Sequence, residues 1–298
     1  MIASLTAEER QRLTATSNSA GLWHLAGHLG LIALTGTWIA LGWPLWQAVL
    51  VVHGVALVFL FTLEHEATHK TPFRSTWLNE AAGHLAGVML LLPFQWFRLF
   101  HMAHHRHTND PARDPELAGP RPDTWPRFLL YTSGLPYWRA MAAVVVENAF
   151  GTPDAPYLTR RARPALRQEA RVYLTIYALV LASLVVSPLA LWLWVLPALL
   201  GQPVLRLYLL AEHGRCPPVA NMLENSRTTF TNRAVRFLAW NMPYHAEHHA
   251  YPAVPFHQLP AFHAHARAHL RTTSESYAAF VEDYVDDLPS TRLSAASR

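Results

Sequence analysis

Histidine is concentrated in three short segments of this sequence. HMAHH (residues 101–105) and HAEHH (residues 245–249) share the spacing H-x-x-H-H, and HEATH (residues 65–69) places two histidines four positions apart. On a helix, residues three and four positions apart lie on one face, so each segment can direct its imidazoles at a common ion. Imidazole binds iron, copper, nickel and zinc alike. The pattern therefore predicts a metal site but does not select the metal.

Nine histidines have ligand spacing once His213 is added, which follows the last long apolar segment in LYLLAEH. One zinc ion takes about four ligands, so nine nitrogens indicate two metal ions with positions left open for a small molecule. The predicted ligands are His65, His69, His101, His104, His105, His213, His245, His248 and His249. His107 is a reserve ligand or a hydrogen-bond donor beside them.

Histidines that bind metal normally pass their second ring N–H to a carboxylate or a carbonyl group. Acidic residues beside the predicted ligands are candidates for this role, with a solvated surface charge as the alternative for each. These residues are Glu66, Asp110, Asp114, Glu212 and Glu247. Asn241 lies four residues before His245 and is a candidate to hold a bound water.

Two long segments, residues 13–63 and 172–205, contain no Asp, Glu, Lys or Arg. Only 15% of the chain is charged, against about 25% in soluble domains. A membrane-spanning helix needs about 20 apolar residues, so each segment accommodates a helical hairpin. The four predicted spans are residues 22–41, 45–63, 172–187 and 188–208. The alternative is a helical hairpin buried in a large soluble core.

The segments outside the hairpins, residues 64–171 and 209–298, are predicted to be cytoplasmic. Clustered arginines in RRAR (residues 160–163) support this orientation, because cytoplasmic loops are enriched in Lys and Arg. Both termini and all the histidine segments then lie on the cytoplasmic side of an inner membrane. We expect one all-α domain over residues 1–298, in which a cytoplasmic helical cap holds the metals.

Two shorter segments are expected to lie along the membrane surface. Residues 81–97 are too few for a full crossing and predict a helix that lies in the interface or re-enters the membrane. Residues 128–150 are amphipathic and predict a second interfacial helix. The polar tail after Arg271 ends in STRLSAASR, which is expected to fray.

The segments HEATH, HMAHH and HAEHH, in this order and flanked by apolar hairpins, resemble the three histidine boxes of the membrane fatty acid desaturase and hydroxylase superfamily. The resemblance covers residues 20–265. It implies a non-haem centre of two iron ions that activates O₂ and removes hydrogen from an unactivated C–H bond. It also implies an extra histidine between the last span and the third box, which His213 matches. Desaturation of the acyl chain of a fatty acid or lipid is favoured over hydroxylation.

Electrons for such a reaction must come from a separate protein. The sequence contains no CxxC pair, no CxxCH haem motif and no strand–GxGxxG–helix unit. A ferredoxin, a rubredoxin or a cytochrome with its reductase is therefore expected as a partner, besides the lipid substrate and membrane lipids. The arginines of RRAR either bind this donor or set the orientation of the protein in the membrane and attract anionic lipids. No nucleic acid is expected as a partner.

Three other functions fit part of the pattern. A hydroxylase of the same superfamily would act on a lipid, alkane, carotenoid or small molecule. HEATH also matches the zinc-protease pattern H-E-x-x-H with Glu66 as general base, which leaves both HxxHH segments unexplained. A metal transporter would place ionisable groups within its spans, where His24, His28 and His53 are the only histidines and no carboxylate occurs.

Overall fold

The computed structural model describes residues 2, 5–119 and 122–289 of the chain, so the predicted frayed end at residues 290–298 lies outside the described residues. Regular structure in the described part is almost entirely helical, which confirms the predicted class. The helices of the N-terminal half are α1 (Ala7–Leu13), α2 (Asn18–Ala40), α3 (Trp46–Val58), α4 (Leu60–His69), α5 (Thr76–Leu90), α6 (Phe94–His107), α7 (Trp125–Thr132) and α8 (Leu135–Phe150).

The C-terminal half has shorter helices after two long ones. They are α9 (Arg163–Ser183), α10 (Leu196–His213), α11 (Met222–Asn225), α12 (Arg233–Leu238), α13 (His245–Ala250), α14 (Leu259–Ala266) and α15 (Tyr277–Asp286). A π-helical turn, Leu191–Val195, precedes α10. Two short strands, β1 (Thr228–Thr229) and β2 (Thr273–Ser274), pair in parallel. Helix α15 lies in the tail that the sequence indicated only as polar.

Two helical segments in the described part are long and apolar enough to cross a membrane, namely Trp46–His69 and Leu191–His213. They overlap the predicted spans 45–63 and 188–208. The pair α5 and α6 would make a third crossing if its two helices, bent by 99°, form one broken span. The other two predicted spans form helices α2 and α9, neither of which meets this criterion. Two or three crossings are thus supported, and the four-span topology stays a prediction.

Helices α3 and α10 pack closely because glycines meet at their contact. A Cβ atom added at Gly54 would lie 2.0 Å from the carbonyl oxygen of Pro197, and one at Gly201 would lie 2.3 Å from the backbone of Gly54. Small residues let helices approach in this way within membranes. The contact holds the two apolar segments side by side, so their histidine-bearing ends lie at the same end of the pair.

The mid-span histidines join helices through hydrogen bonds. His28 Nε2 lies 2.8 Å from the Ala56 carbonyl oxygen. His53 Nδ1 lies 2.7 Å from Thr35 Oγ1, and its Nε2 lies 2.9 Å from the Leu193 carbonyl oxygen. Buried polar groups normally find such partners. These contacts give both side chains a role in packing.

Two predicted helices are each broken into two. Residues 81–97 do not form one helix, because Leu91 takes a left-handed conformation (φ 59°) and Pro93 precedes α6. Residues 128–150 are divided at Gly134 (φ 73°) between α7 and α8. Left-handed backbone ends an α-helix, and the residue before a proline disfavours helical geometry. The first break turns α6 back, so that HMAHH approaches the end of α4.

Candidate metal centre

The nine predicted ligands converge in two adjoining groups. In each group one ligand atom from every residue lies within 4.8 Å of the others. The first group contains His65, His69, His101, His105 and His248. The second contains His104, His213 and His249. His245 joins the second, since its Nε2 lies 2.9 Å from Nε2 of His213.

Helix periodicity divides each HxxHH segment between the two groups. On α6, His101 and His105 are one turn apart and face the first group, whereas His104 faces the second. On α13 the division is reversed, because His248 alone belongs to the first group. The two groups adjoin where the rings of His105 and His249 stack, with centroids 4.1 Å apart. Each segment therefore serves both groups, a division that spacing alone does not reveal.

Some ring nitrogens in this cluster lie unusually close together, and others are buried without a hydrogen-bond partner. Nε2 of His69 lies 2.9 Å from Nε2 of His101, and Nε2 of His104 lies 3.2 Å from that of His213. Both ring nitrogens of His65 are buried and unpaired. Buried polar atoms rarely lack a hydrogen-bond partner, and a bound ion is one explanation for such unpaired nitrogens. An all-nitrogen donor set in two groups fits two transition-metal ions.

The histidines of α13 are neutral in this environment. Burial lowers the pKa of His248 well below its usual value, and the neighbouring imidazoles of His65 and His69 lower it further. The pKa values of His245 and His249 are lowered in the same way, first by burial and then by adjacent rings. Only the neutral ring can donate a lone pair to a metal, so the lowered pKa values of these three histidines favour the form that binds metal.

Hydrogen bonds orient the second group of ligands. His104 Nδ1–H donates to Asp114 Oδ1 at 2.9 Å, which leaves Nε2 for the centre. His213 Nδ1 lies 3.2 Å from the Asn225 carbonyl oxygen, and His249 Nδ1 lies 3.1 Å from Thr108 Oγ1. Such contacts set the tautomer and the ring direction of a metal ligand. Three rings are thus held with one nitrogen facing the group.

Two further predicted carboxylates lie beside ligands. Glu212 Oε1 is 3.3 Å from Nδ1 of His245, and Glu66 Oε1 is 3.6 Å from Nδ1 of His248. The other oxygen of Glu66 accepts a hydrogen bond of 2.6 Å from Thr71. The side chain of Glu66 is completely buried. Both carboxylates therefore lie behind the rings, where they can accept a ring N–H.

Other predicted residues do not contact a ligand. Asp110 forms an ion pair with Arg113 at 2.6 Å and lies near the surface. Asn241 Nδ2–H donates to the Phe256 carbonyl oxygen at 3.0 Å. His107 belongs to neither group. For these three positions, sequence proximity to a ligand did not translate into contact.

Glu247 also turns away from the ligands that flank it. Its two oxygens accept hydrogen bonds from Thr228 and His263. It therefore connects α13 to β1 and α14 rather than to a metal ligand. Its neighbour in sequence, His248, faces the first group instead, since adjacent helical residues lie about 100° apart.

Three supporting residues were missed in the sequence. Thr108 lies one turn after His104, a spacing that does signal a shared face. Glu116 follows Asp114 by two residues, and its Oε2 lies 3.7 Å from Nδ1 of His104. Asn225 is on α11 and contributes through its backbone carbonyl. Nothing in the local sequence signals that last contact.

A cavity of about 280 Å³ lies against both groups. Its wall includes the predicted ligands His65 and His213. Aromatic side chains make up much of the remaining wall, and they are Phe61, Trp96, Phe97, Phe100, Tyr131 and Tyr137. Three charged residues also line it, namely Glu116, Arg206 and Glu212. A mostly apolar pocket with a few polar groups is typical of a small-molecule site.

Known proteins similar to this chain are desaturases. It is 36% identical over 93 residues to an sn-1 oleoyl-lipid 12-desaturase of Synechocystis sp., covering 30% of this chain and 24% of that protein. A Picosynechococcus sp. protein with the same description is 32% identical over 100 residues, 33% of this chain and 29% of the relative. The chain thus matches under a third of the length of these two relatives.

A longer match is to the dihydrorhizobitoxine desaturase of Bradyrhizobium elkanii, which is 26% identical over 260 residues, 80% of this chain and 73% of that protein. The chain also matches the Fatty acid desaturase family over residues 41–281. That range takes in all three histidine segments and His213. Because the match extends over most of the chain, the protein belongs to the fatty acid desaturase family.

Proposed function

We propose that this chain is an O₂-dependent di-iron oxidoreductase that desaturates the acyl chain of a fatty acid or lipid. The observation that carries the proposal is the convergence of nine imidazoles from four helices on two adjoining groups beside a cavity. The residues of each group would hold one iron ion. When bound, the two ions would supply activation of O₂ and removal of hydrogen from the substrate.

The protein itself contributes position and shielding. Asp114 and Thr108 hold His104 and His249 in the orientation that directs Nε2 to the centre. Aromatic side chains of the cavity, such as Trp96 and Phe97, exclude water from the substrate carbons. Removal of two hydrogens leaves the double bond, and two further electrons are needed to reduce O₂ to two waters. The side chains therefore need to bind and align, not to form bonds with the substrate.

The electron donor is proposed to be a separate protein of the ferredoxin, rubredoxin or cytochrome type. One relative, from Nostoc sp., is described as an sn-1 acyl-lipid omega-3 desaturase (ferredoxin), and it is 26% identical over 86 residues. We also propose that both termini and the histidine groups face the cytoplasm from an inner membrane. The arginines of residues 160–163 support this orientation.

The alternative functions have less support. The reported relatives are described as desaturases, which does not favour hydroxylation. A zinc protease needs three protein ligands, but His65 and His69 lie in a group of five histidines. A metal transporter would use mid-span histidines, whereas His28 and His53 bond neighbouring helices. The substrates named for the relatives differ between lipids and dihydrorhizobitoxine.

The proposal can be tested with two histidine variants in one expression host. His104→Ala removes a ligand of the second group, and His107→Ala removes a histidine outside both groups. Esterified and free fatty acids of the host are then profiled by mass spectrometry, with octanoate supplied as an additional substrate. We expect a new double bond with the wild type and with His107→Ala, and none with His104→Ala. Undiminished product with His104→Ala would contradict the proposal.

A further inference from the structure

Arg206 is a cation in an apolar helix, and it faces the cavity at the metal centre. It is the only Lys or Arg between Leu191 and His213, a segment apolar enough to span a membrane. It precedes His213 by seven residues, which is two helical turns or about 10 Å along the axis, on the same face. An ionisable residue in such a segment is costly and usually serves function.

The guanidinium of Arg206 has no polar partner in the part of the chain that the structure describes. No hydrogen bond is formed by its five N–H groups, no carboxylate oxygen lies within 4.0 Å, and its Nε is buried and unpaired. Its guanidinium lies over the ring of Tyr137, whose centroid is 4.5 Å from Cζ. Arg227, by contrast, donates to the carbonyl oxygens of Ala211 and Gly214 at 2.6 and 2.9 Å.

The two carboxylates of the cavity wall attract Arg206 electrostatically, but within the described residues neither forms an ion pair with it at 4.0 Å or less. Glu212 lies against His245 at 3.3 Å and Glu116 lies 3.7 Å from His104, so both are directed at ring N–H groups of proposed metal ligands. The N–H donors of Arg206 therefore have no hydrogen-bond acceptor among the described residues and can bind a ligand in the cavity. The side chain of Arg206 is partly buried and its Nε is completely so. Burying a polar group without a hydrogen bond is costly, which indicates that an acceptor is supplied by a molecule bound in the cavity.

The chemistry of this anion follows from the shape of the site. The planar fork of a guanidinium matches the two oxygens of a carboxylate. The cavity of about 280 Å³ is slightly smaller than pockets for drug-sized ligands, which start at about 300 Å³. Its walls are mainly aromatic. These features suit a short or medium-length acid whose apolar part points towards the histidines.

We infer that Arg206 binds the carboxylate of the substrate, which is therefore a free acid and not an ester of a lipid. That the bound acid is the substrate rests on the proposed desaturase function. The two helical turns between Arg206 and His213 place the attacked carbons within about 10 Å of the carboxylate. A lipid ester has no free carboxylate at that position and would leave Arg206 unpaired.

The test is binding of octanoate and of methyl octanoate, its uncharged ester, to purified protein in detergent. Arg206→Gln removes the cation from the cavity. Arg127→Gln is the matched control, since Arg127 is exposed and paired with Asp123 at the surface. We expect octanoate to bind the wild type and Arg127→Gln, and to bind Arg206→Gln about tenfold to a hundredfold more weakly. The ester should bind all three proteins equally weakly.

Equal binding of octanoate to Arg206→Gln and wild type would overturn the inference, as would equal binding of acid and ester to the wild type. If Arg206→Gln does not fold, Arg206→Lys replaces it. The lysine variant keeps the charge but loses the fork, and we expect about tenfold weaker binding. Iron is measured on the same samples: its absence from the wild type would contradict the proposed function, whereas octanoate binding decides on Arg206 alone.

Discussion

At the scale of residues, the positions of the histidines could be predicted, whereas the residues that hydrogen-bond to them could be predicted only in part. Eight of the nine candidates lie three or four residues apart in the three segments, and all nine, His213 included, converge in two adjoining groups. Whether a neighbouring carboxylate faces a ligand depends on the turn that follows the helix. Asp114 contacts His104, whereas Asp110, four residues earlier, contacts Arg113. The sequence contains no signal that separates these two aspartates.

Asp114→Asn tests the support of a ligand. Asp114 accepts hydrogen bonds from His104 Nδ1 and from the backbone of Asn109 and Glu116. An amide at this position no longer favours the Nδ1–H tautomer of His104, so we expect about tenfold to a hundredfold lower iron affinity. Titration of iron-free protein with Fe²⁺ measures this change.

Asp110→Asn is the matched control for that experiment. Its ion pair with Arg113 is near the surface, where such pairs contribute about 0–1 kcal/mol. Iron affinity should therefore stay at the wild-type value. Equal losses in both aspartate variants would show that the contact between Asp114 and His104 has no special role.

At the scale of elements, the site depends on where helices end and how closely they pack. Helices α4 and α10 end in His69 and His213, and α6 reaches them because the chain turns at Leu91. The apolar segments could be predicted from their lack of charge. The turn at Leu91 could not be predicted from the sequence, since leucine has no preference for left-handed backbone.

Gly201→Ala tests the close packing of α3 and α10. The added methyl group would lie 2.3 Å from the backbone of Gly54, so the helices must separate. Overpacking of this kind typically costs about 1–3 kcal/mol. We expect a lower melting temperature in detergent and weaker iron retention, because the ends of both helices carry ligands.

Gly30→Ala is the control for the glycine variant. No atom lies within 4 Å of a Cβ added at Gly30, which is also in a long helix. Alanine is favoured over glycine in helix interiors by about 0.5–1 kcal/mol. The melting temperature of the Gly30→Ala protein should therefore equal or exceed that of the wild type. A Gly201→Ala protein as stable as the wild type would contradict the role assigned to this contact.

At the scale of the whole molecule, ligands distant in sequence meet in one place. The histidine pattern was sufficient to predict the family and the helical class. The topology was harder, because α2 and α9 are less apolar than a spanning helix needs by itself. Contacts such as that of Asn225 with His213 depend on the tertiary placement of α11, which packs against α13 and which no local pattern records.

Metal removal should destabilise the whole molecule. Without ions, buried ring nitrogens such as those of His65 are left unpaired, and a ligand at 100 times its dissociation constant stabilises a protein by about 2.7 kcal/mol. We expect chelation to lower the melting temperature by several degrees and Fe²⁺ to restore it. His107→Ala protein should respond identically, since His107 lies outside both groups. A melting temperature indifferent to chelation would contradict metal binding by these groups.

The most direct measurement is the metal content of purified wild-type protein, by elemental analysis and by Mössbauer spectroscopy of ⁵⁷Fe-loaded samples. The account predicts about two irons per chain in nitrogen-rich sites, and loss of both signals in a protein with His104→Ala and His105→Ala combined. A single tightly bound zinc with no iron, or one iron alone at full occupancy, would contradict a centre built from two groups of histidines.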